Sequence, residues 1–294
     1  MVTDRRIIVA NGSTSLELTS VPYYVTRTEG FDRLDVQIVT SQGFDQDGAT
    51  ELNSYVLPRD MVIHGQIRAE TTSQMQDLHD RILNLFLPKR QITITHYYGG
   101  RNRMIRASVE KTPQFSFTQV SSVQDYKVYM KATGDPYWTD QSETLVQIAN
   151  LTGGFHFPFA IHKDRGMTFG IRSPSLIVDV FNKSAMRVGM RFTFIANGTV
   201  KNPQLFNVNT REFLKLKCGM SAGESITVQT GTDKSVTRNY RGVTEDYIGK
   251  IDIPSRGNKF LELDPGDNLF RYAADEGEDM LEVRIYFCNK YQGV

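Results

Sequence analysis

Alternation of apolar and polar residues with a period of two dominates the chain and predicts strands. Gln91–Tyr98 alternates and runs into Gly99-Gly100, a pair suited to a tight turn. The Arg-rich stretch Arg101–Arg106 leaves that turn, so the two segments read as a hairpin. Gln124–Lys131 alternates through Tyr126, Val128 and Met130. In the second half Met190, Phe192 and Phe194 alternate before Asn197-Gly198. The pattern continues at Ile226 and Val228, at Ile251 and Ile253, and at Leu261 and Leu263. It returns in Leu281, Val283, Ile285 and Phe287. Pro and Gly break the chain at intervals close to the ~8–12 residues of a sandwich or barrel.

One segment departs from this period. Met75, Leu78, Ile82 and Leu85 fall at helical intervals, and Leu83 and Phe86 widen the apolar face. Ser73 with Gln76 three residues on has the spacing of a capping box, and Pro88 stops the run. The spacing predicts a helix near 73–87, lying across one sheet and closing its core. No other long helix is expected, so the fold class is mainly β with one helix.

Asp135-Pro136-Tyr137-Trp138 is followed by a polar stretch of weak periodicity and then by the aromatic segment Phe155–Ile161. This places a boundary near 140–152 and predicts two bodies, 1–145 and 146–294. Between them in character stands the segment near 41–60. It is polar and glycine-bearing, yet dotted with Phe44, Leu52, Tyr55 and Leu57. Such a composition suits either an arm that docks on a neighbour or a surface hairpin.

The chain has 294 residues, of which 39% are hydrophobic and 23% charged, so it can fold and is not a disordered chain. A net charge of +1 argues against a dedicated nucleic-acid binder. No apolar run approaches the ~20 residues of a membrane-spanning helix, and the first ten residues hold no secretory signal. The expected setting is therefore the cytoplasmic side, with no membrane partner. Two cysteines, Cys218 and Cys288, rule out a disulfide framework and read as reduced, buried thiols, although late strands of one sandwich could bring them close.

Catalytic signatures are missing. There is no phosphate-binding Gly loop and no Gly-x-Ser-x-Gly turn. His156 and His162 would share a metal only if Pro158 folded the chain back; His64 and His96 read as sheet residues, and His79 as a surface or partly buried one. Asp45-Gln-Asp47-Gly48 starts like a calcium loop, but its twelfth position is Val56. Asp264-Pro-Gly-Asp267-Asn268 is turn chemistry. Nothing singles out a pair of carboxylates, so no enzyme, metal or cofactor is expected. Tyr97, Tyr98, Arg101 and Arg103 at the hairpin are the one stretch with the look of a nucleic-acid surface. Two arginines on one strand face read rather as a solvated edge that also discourages aggregation.

The order of several segments resembles the siphophage distal tail protein family. They are Val25–Asp32, Gly43–Gly48, Leu57–Ala69, the helix to Lys89, Arg103–Glu110, Phe115–Phe117 and Gly134–Trp138. Weaker likeness continues in Gly153–Phe159, at Gly189, and in Leu263–Asn268 and Tyr291–Val294. The start, Met1–Gly12, is longer than is usual there, and no large carbohydrate module is inserted. The resemblance implies a non-enzymatic hub at a phage tail tip or baseplate. A ring-forming first domain, of sandwich or split-barrel type, would carry an arm, and a galectin-like sandwich would point outward. It further implies a homohexameric ring joining the major tail tube protein to a tail-tip or tail-associated lysin protein. Receptor-binding or baseplate proteins would sit at the periphery, and DNA would pass the lumen without specific binding. The location implied is the virion tail tip. In that reading the 41–60 segment is the arm, with Phe44, Leu52, Tyr55 and Leu57 at a subunit interface. A carbohydrate-binding module and the hub of a contractile or bacteriocin-like tail are the alternatives.

Overall fold

A computed structural model describes residues 5–12, 14–116, 122–148, 150–153, 170–173, 177–252 and 258–294. His156, His162 and the aromatic segment from Phe155 lie outside the described residues. The chain is mainly β, with antiparallel pairing throughout the two largest sheets and one α-helix. Contacts divide it into two units, residues 1–141 with 290–294, and residues 142–289. The sequence reading left 290–294 with the second body; the contacts group those residues with the first unit.

In the first unit the strands are β1 (Arg6–Asn11), β2 (Thr14–Glu17), β3 (Tyr23–Glu29), β4 (Val36–Ser41), β5 (Thr50–Val56) and β6 (Arg59–Arg68). After helix α1 (Thr72–Leu85) come β7 (Gln91–Tyr98), β8 (Arg101–Val109), β9 (Gln114–Phe115), β10 (Val123–Ala132) and β11 (Trp138–Asp140). Seven of them form one path in the sheet, β2-β1-β7-β8-β10-β6-β3. Alternation puts Ile92, Ile94, Ile105, Ala107, Val109, Tyr126, Val128 and Met130 inside. Leu78, Ile82, Leu85 and Phe86 of the helical segment join the same core. The predicted β7–β8 hairpin is present, with Tyr98 opposite Arg101. Gly99 (φ 56°) and Gly100 (φ 75°) both have positive φ, the requirement of a type I′ turn.

The N-cap lies two residues before the predicted one. Thr71, not Ser73, is the N-cap: its hydroxyl accepts from the Gln74 amide at 3.2 Å. Gln74 Oε1 in turn accepts from the Glu70 amide at 3.0 Å. Thr71 and Ser73 are each followed by Gln three residues on. The chain uses Thr71 with Gln74, whose side chain reaches back to the Glu70 amide.

The second unit is a two-sheet sandwich. A six-stranded sheet includes Arg191–Ala196, Ser225–Gln229 and Leu281–Phe287; a four-stranded sheet includes Val178–Asn182, Gln204–Asn207 and Gly266–Ala273. Phe192, Phe194, Ile226, Val283 and Ile285 from one face meet Val180, Leu205, Phe270 and Tyr272 from the other in a single core. Asn268 fixes the Asp264–Gly266 turn by donating to the carbonyls of Asp264 (2.8 Å) and Gly266 (2.9 Å), where Gly266 takes φ +88°. Cys218 is buried and Cys288 is partly buried, and neither is in a disulfide.

Candidate assembly interface

Among the described residues, strands β4 and β5 pair with each other alone, as a two-stranded ribbon outside both cores. All of their residues are exposed except the half-buried Val56. The ribbon starts at Val36, five residues before the predicted arm, and its loop holds Asp45 and Gly48 at positive φ. Val36 faces Val56 and Ile38 faces Ser54 on one side; Gln37 faces Tyr55 and Val39 faces Asn53 on the other. Phe44 at the tip is fully exposed, and Leu52 (65%), Ile38 (56%), Val36 (52%) and Tyr55 (48%) are open to solvent. A ribbon with this much apolar surface on an isolated pair of strands is poorly suited to water. Leu57 is different: it is half-buried at the root, where its amide donates to the Asp35 carbonyl at 2.8 Å. The sequence reading missed Val36, Ile38 and Val39. From Leu34 to Pro58 there are four acidic residues and no Lys or Arg, a formal charge of −4.

The root of the ribbon is held by a buried cation. Arg59 is 2% exposed. Its Nη1 donates to the carbonyls of Gly30 and Phe31, both at 2.8 Å, and its Nε to the Pro136 carbonyl at 2.7 Å. Its Nη2 donates to the Gln292 carbonyl. Burial pulls the guanidinium pKa down, and Asp32 and Tyr137 oppose this. Trp138, wholly buried, donates its indole N–H to the Phe31 carbonyl at 2.9 Å. Gly30 sits at φ +77°, and a Cβ there would lie 1.9 Å from the Asp60 carbonyl oxygen.

Residues 290–294 close over this root. The Lys290–Tyr291 strand pairs with β11, Trp138 opposite Tyr291 and Thr139 opposite Lys290. Tyr291 Oη donates to Asp140 Oδ1 at 2.9 Å, Lys290 pairs with Asp135 at 2.7 Å, and the Val294 amide donates to Asp32 Oδ1 at 3.0 Å. Arg103 places its guanidinium 3.9 Å from the Tyr291 ring centre and donates to the Gly293 carbonyl.

That placement differs from the reading of a solvated edge at Arg103. β8 is not an edge, because β7 flanks it on one side and β10 and β11 on the other. Arg103 shares the inward parity of Ile105 and is half-buried under residues 291–293. Arg101 is exposed at the hairpin tip beside Tyr98 (55% exposed), while Tyr97 lies under Arg6 at 5.0 Å and donates to Gln141 at 3.4 Å. So the structure brings Arg103 to the root and leaves Tyr98 and Arg101 at the tip. His96, opposite Arg103, is 3% exposed and accepts from Arg5 Nε at 2.9 Å. Burial first, then Arg5, bring its pKa down to about 4, with Asp32 opposing and Arg103 adding to the drop. Among the described residues no group of three or more His, Cys, Asp or Glu side chains could hold a metal ion.

A mainly β chain of two units with a ribbon standing off the first has the fold of phage hub proteins of the Dit type. The Dit protein of phage SPP1, a paradigm of the hub adsorption apparatus in phages that infect Gram-positive bacteria, superposes with a TM-score of 0.69 at 10% identity. The match covers 98% of this chain and 99% of that one. A chain of the phage p2 baseplate, in its activated conformation with strontium, gives a TM-score of 0.54 at 10% identity over 99% of both chains. One from the phage P2 baseplate activated with calcium gives 0.53 at 11% identity over the full length of both. Neither a protein-family model nor a curated protein sequence matches this chain. The likeness read from segment order is therefore borne out as a likeness of fold.

Proposed function

We propose that this chain is a structural hub at the end of a phage tail, and that it works by assembling with copies of itself into a closed ring of six. The observation that carries this reading is the exposed apolar ribbon Val36–Val56 on a Dit-type fold. Head-to-tail contacts close a ring when their rotation divides the circle. A ribbon with free strand edges can add main-chain pairing to a neighbour's sheet, and its apolar side chains then lose their exposure. Residues 1–145 would form the ring, and the sandwich of 146–294, of galectin-like type, would face outward. The ring would join the tail tube protein to a tail-tip or lysin protein, with adhesion proteins at its rim. Its role is mechanical, with no reaction to catalyse.

The mass in solution tests this. Six copies of the 33.4 kDa chain make about 200 kDa. Native mass spectrometry that finds only the single chain at every concentration, with no tail component able to recruit it, would sink the proposal.

A further inference from the structure

The ribbon is attached at two roots, residues 30–35 and 57–59, and its usefulness as a docking arm depends on its direction. Direction is set where the roots are fixed. Leu57 N–H to Asp35 C=O ties the two roots to each other. Several of the ties that hold them to the body converge on Arg59, beside the Trp138 indole bond to Phe31. One guanidinium holds carbonyls from the first root (Gly30, Phe31), from the end of the first unit (Pro136) and from Gln292. Buried carbonyls and a buried cation each need partners, so losing one acceptor leaves charge poorly satisfied at this point. The fourth acceptor belongs to the segment 290–294, which is held independently by Arg103, Asp140, Asp135 and Asp32. Packing there is tight: a Cβ on Gly293 would lie 2.8 Å from Asp32 Oδ1 and 3.0 Å from Asp32 Cα. Asp32 is itself part of the root, one residue from Phe31.

We infer that Arg59 is a positioning residue for the arm and that residues 290–294 are the latch that completes it. With the latch seated, Gly30, Phe31 and Arg59 are locked and the ribbon leaves the body in one direction. Without it, the root loosens while the sheet and helix persist. The buried members of their core lie outside residues 290–294; of the closing segment Tyr291 and Val294 pack against that core as partly buried side chains. The inference rests on the hub reading for its purpose but not for its test.

The test is amide hydrogen exchange on the full chain, on a form lacking residues 290–294, and on Gly293→Leu, which unseats the segment without removing it. The expected result is exchange at Leu57 and across 36–56 faster by about tenfold or more in both variants. Exchange at the core positions Ile63 and Val128 stays as in the parent chain. Arg59→Lys, which keeps the charge but not the fork, is expected to fall between the two. Unchanged exchange at Leu57, or an equal rise everywhere in the first unit, overturns the inference. If the shortened form does not fold, Gly293→Leu decides alone. A parent chain that never assembles defeats the hub reading and leaves this result standing.

Discussion

The ring of Tyr126 fills the space that a side chain on Gly65 would need. The two are register partners across β6 and β10, and a Cβ on Gly65 would lie 2.3 Å from the ring. Glycine weakens a strand, and here the aromatic ring restores the lost contact. The Tyr126 hydroxyl is buried without a hydrogen-bond partner, and burial raises its pKa. Gly65→Ala should therefore cost roughly 1–3 kcal/mol by overpacking. Tyr126→Phe should be neutral or stabilising by up to about 1 kcal/mol, since it removes an unsatisfied polar atom. Urea melts of the two variants check both statements, and a large loss in Tyr126→Phe would contradict the packing described.

The ribbon should be dispensable for folding and necessary for assembly. Ile38→Asp and Leu52→Asp change side chains that touch little in their own chain, so thermal stability should move by no more than about 0.5 kcal/mol. Assembly should weaken by at least roughly 30-fold if these residues anchor a subunit contact. Light scattering with calorimetry on the same samples separates the two effects. Intact assembly in both variants would remove the ribbon from the interface.

Acid should destabilise the first unit through His96. His96 has a pKa of about 4 when folded, below its ordinary value of 6.5. Between these values the unfolded chain holds the proton and the folded chain does not. The contribution is complete above about pH 6.5, falls as pH drops, and levels off below about 4, for a total of roughly 3 kcal/mol. His96→Gln should flatten this part of the stability profile. A profile that keeps its slope in the variant would assign the effect to other groups.

Thr71→Ala should cost about 1 kcal/mol, and Ser73→Ala close to nothing, because only Thr71 caps the helix. Equal losses in chemical denaturation would contradict the cap.

Cys218 should be nearly inert. Burial first, then Glu224, push its thiol up to about 11. In a Cys288→Ser background, alkylation at neutral pH should run about two orders of magnitude slower in the folded chain than in urea. Comparable rates would mean that the thiol is accessible.

Some of this was readable in advance because local chemistry allowed one answer. Gly99-Gly100 between alternating strands permits the tight turn with both residues at positive φ. Leu78, Ile82 and Leu85 mark a helix face whichever residue caps it. The cap itself was ambiguous, since two hydroxyl residues offered the same spacing. Strand β4 was missed because Val36, Ile38 and Val39 are apolar and look like core, yet no core lies beside them. Arg59 was invisible for the opposite reason. Arginine is ordinarily a surface residue, and its partners here are backbone carbonyls as distant as Gly30 and Gln292. Arg103 seemed free for the same cause: Tyr291 and Gly293 reach it only through the fold.

The composition of the ribbon makes proteases informative. Between Arg33 and Arg59 there is no basic residue, so trypsin has no bond to cut within it. Chymotrypsin has Phe44, Leu52 and Tyr55, all open to solvent in the single chain. An isolated subunit would thus resist the first enzyme at this segment and be nicked by the second, and a subunit whose ribbon is covered would resist both.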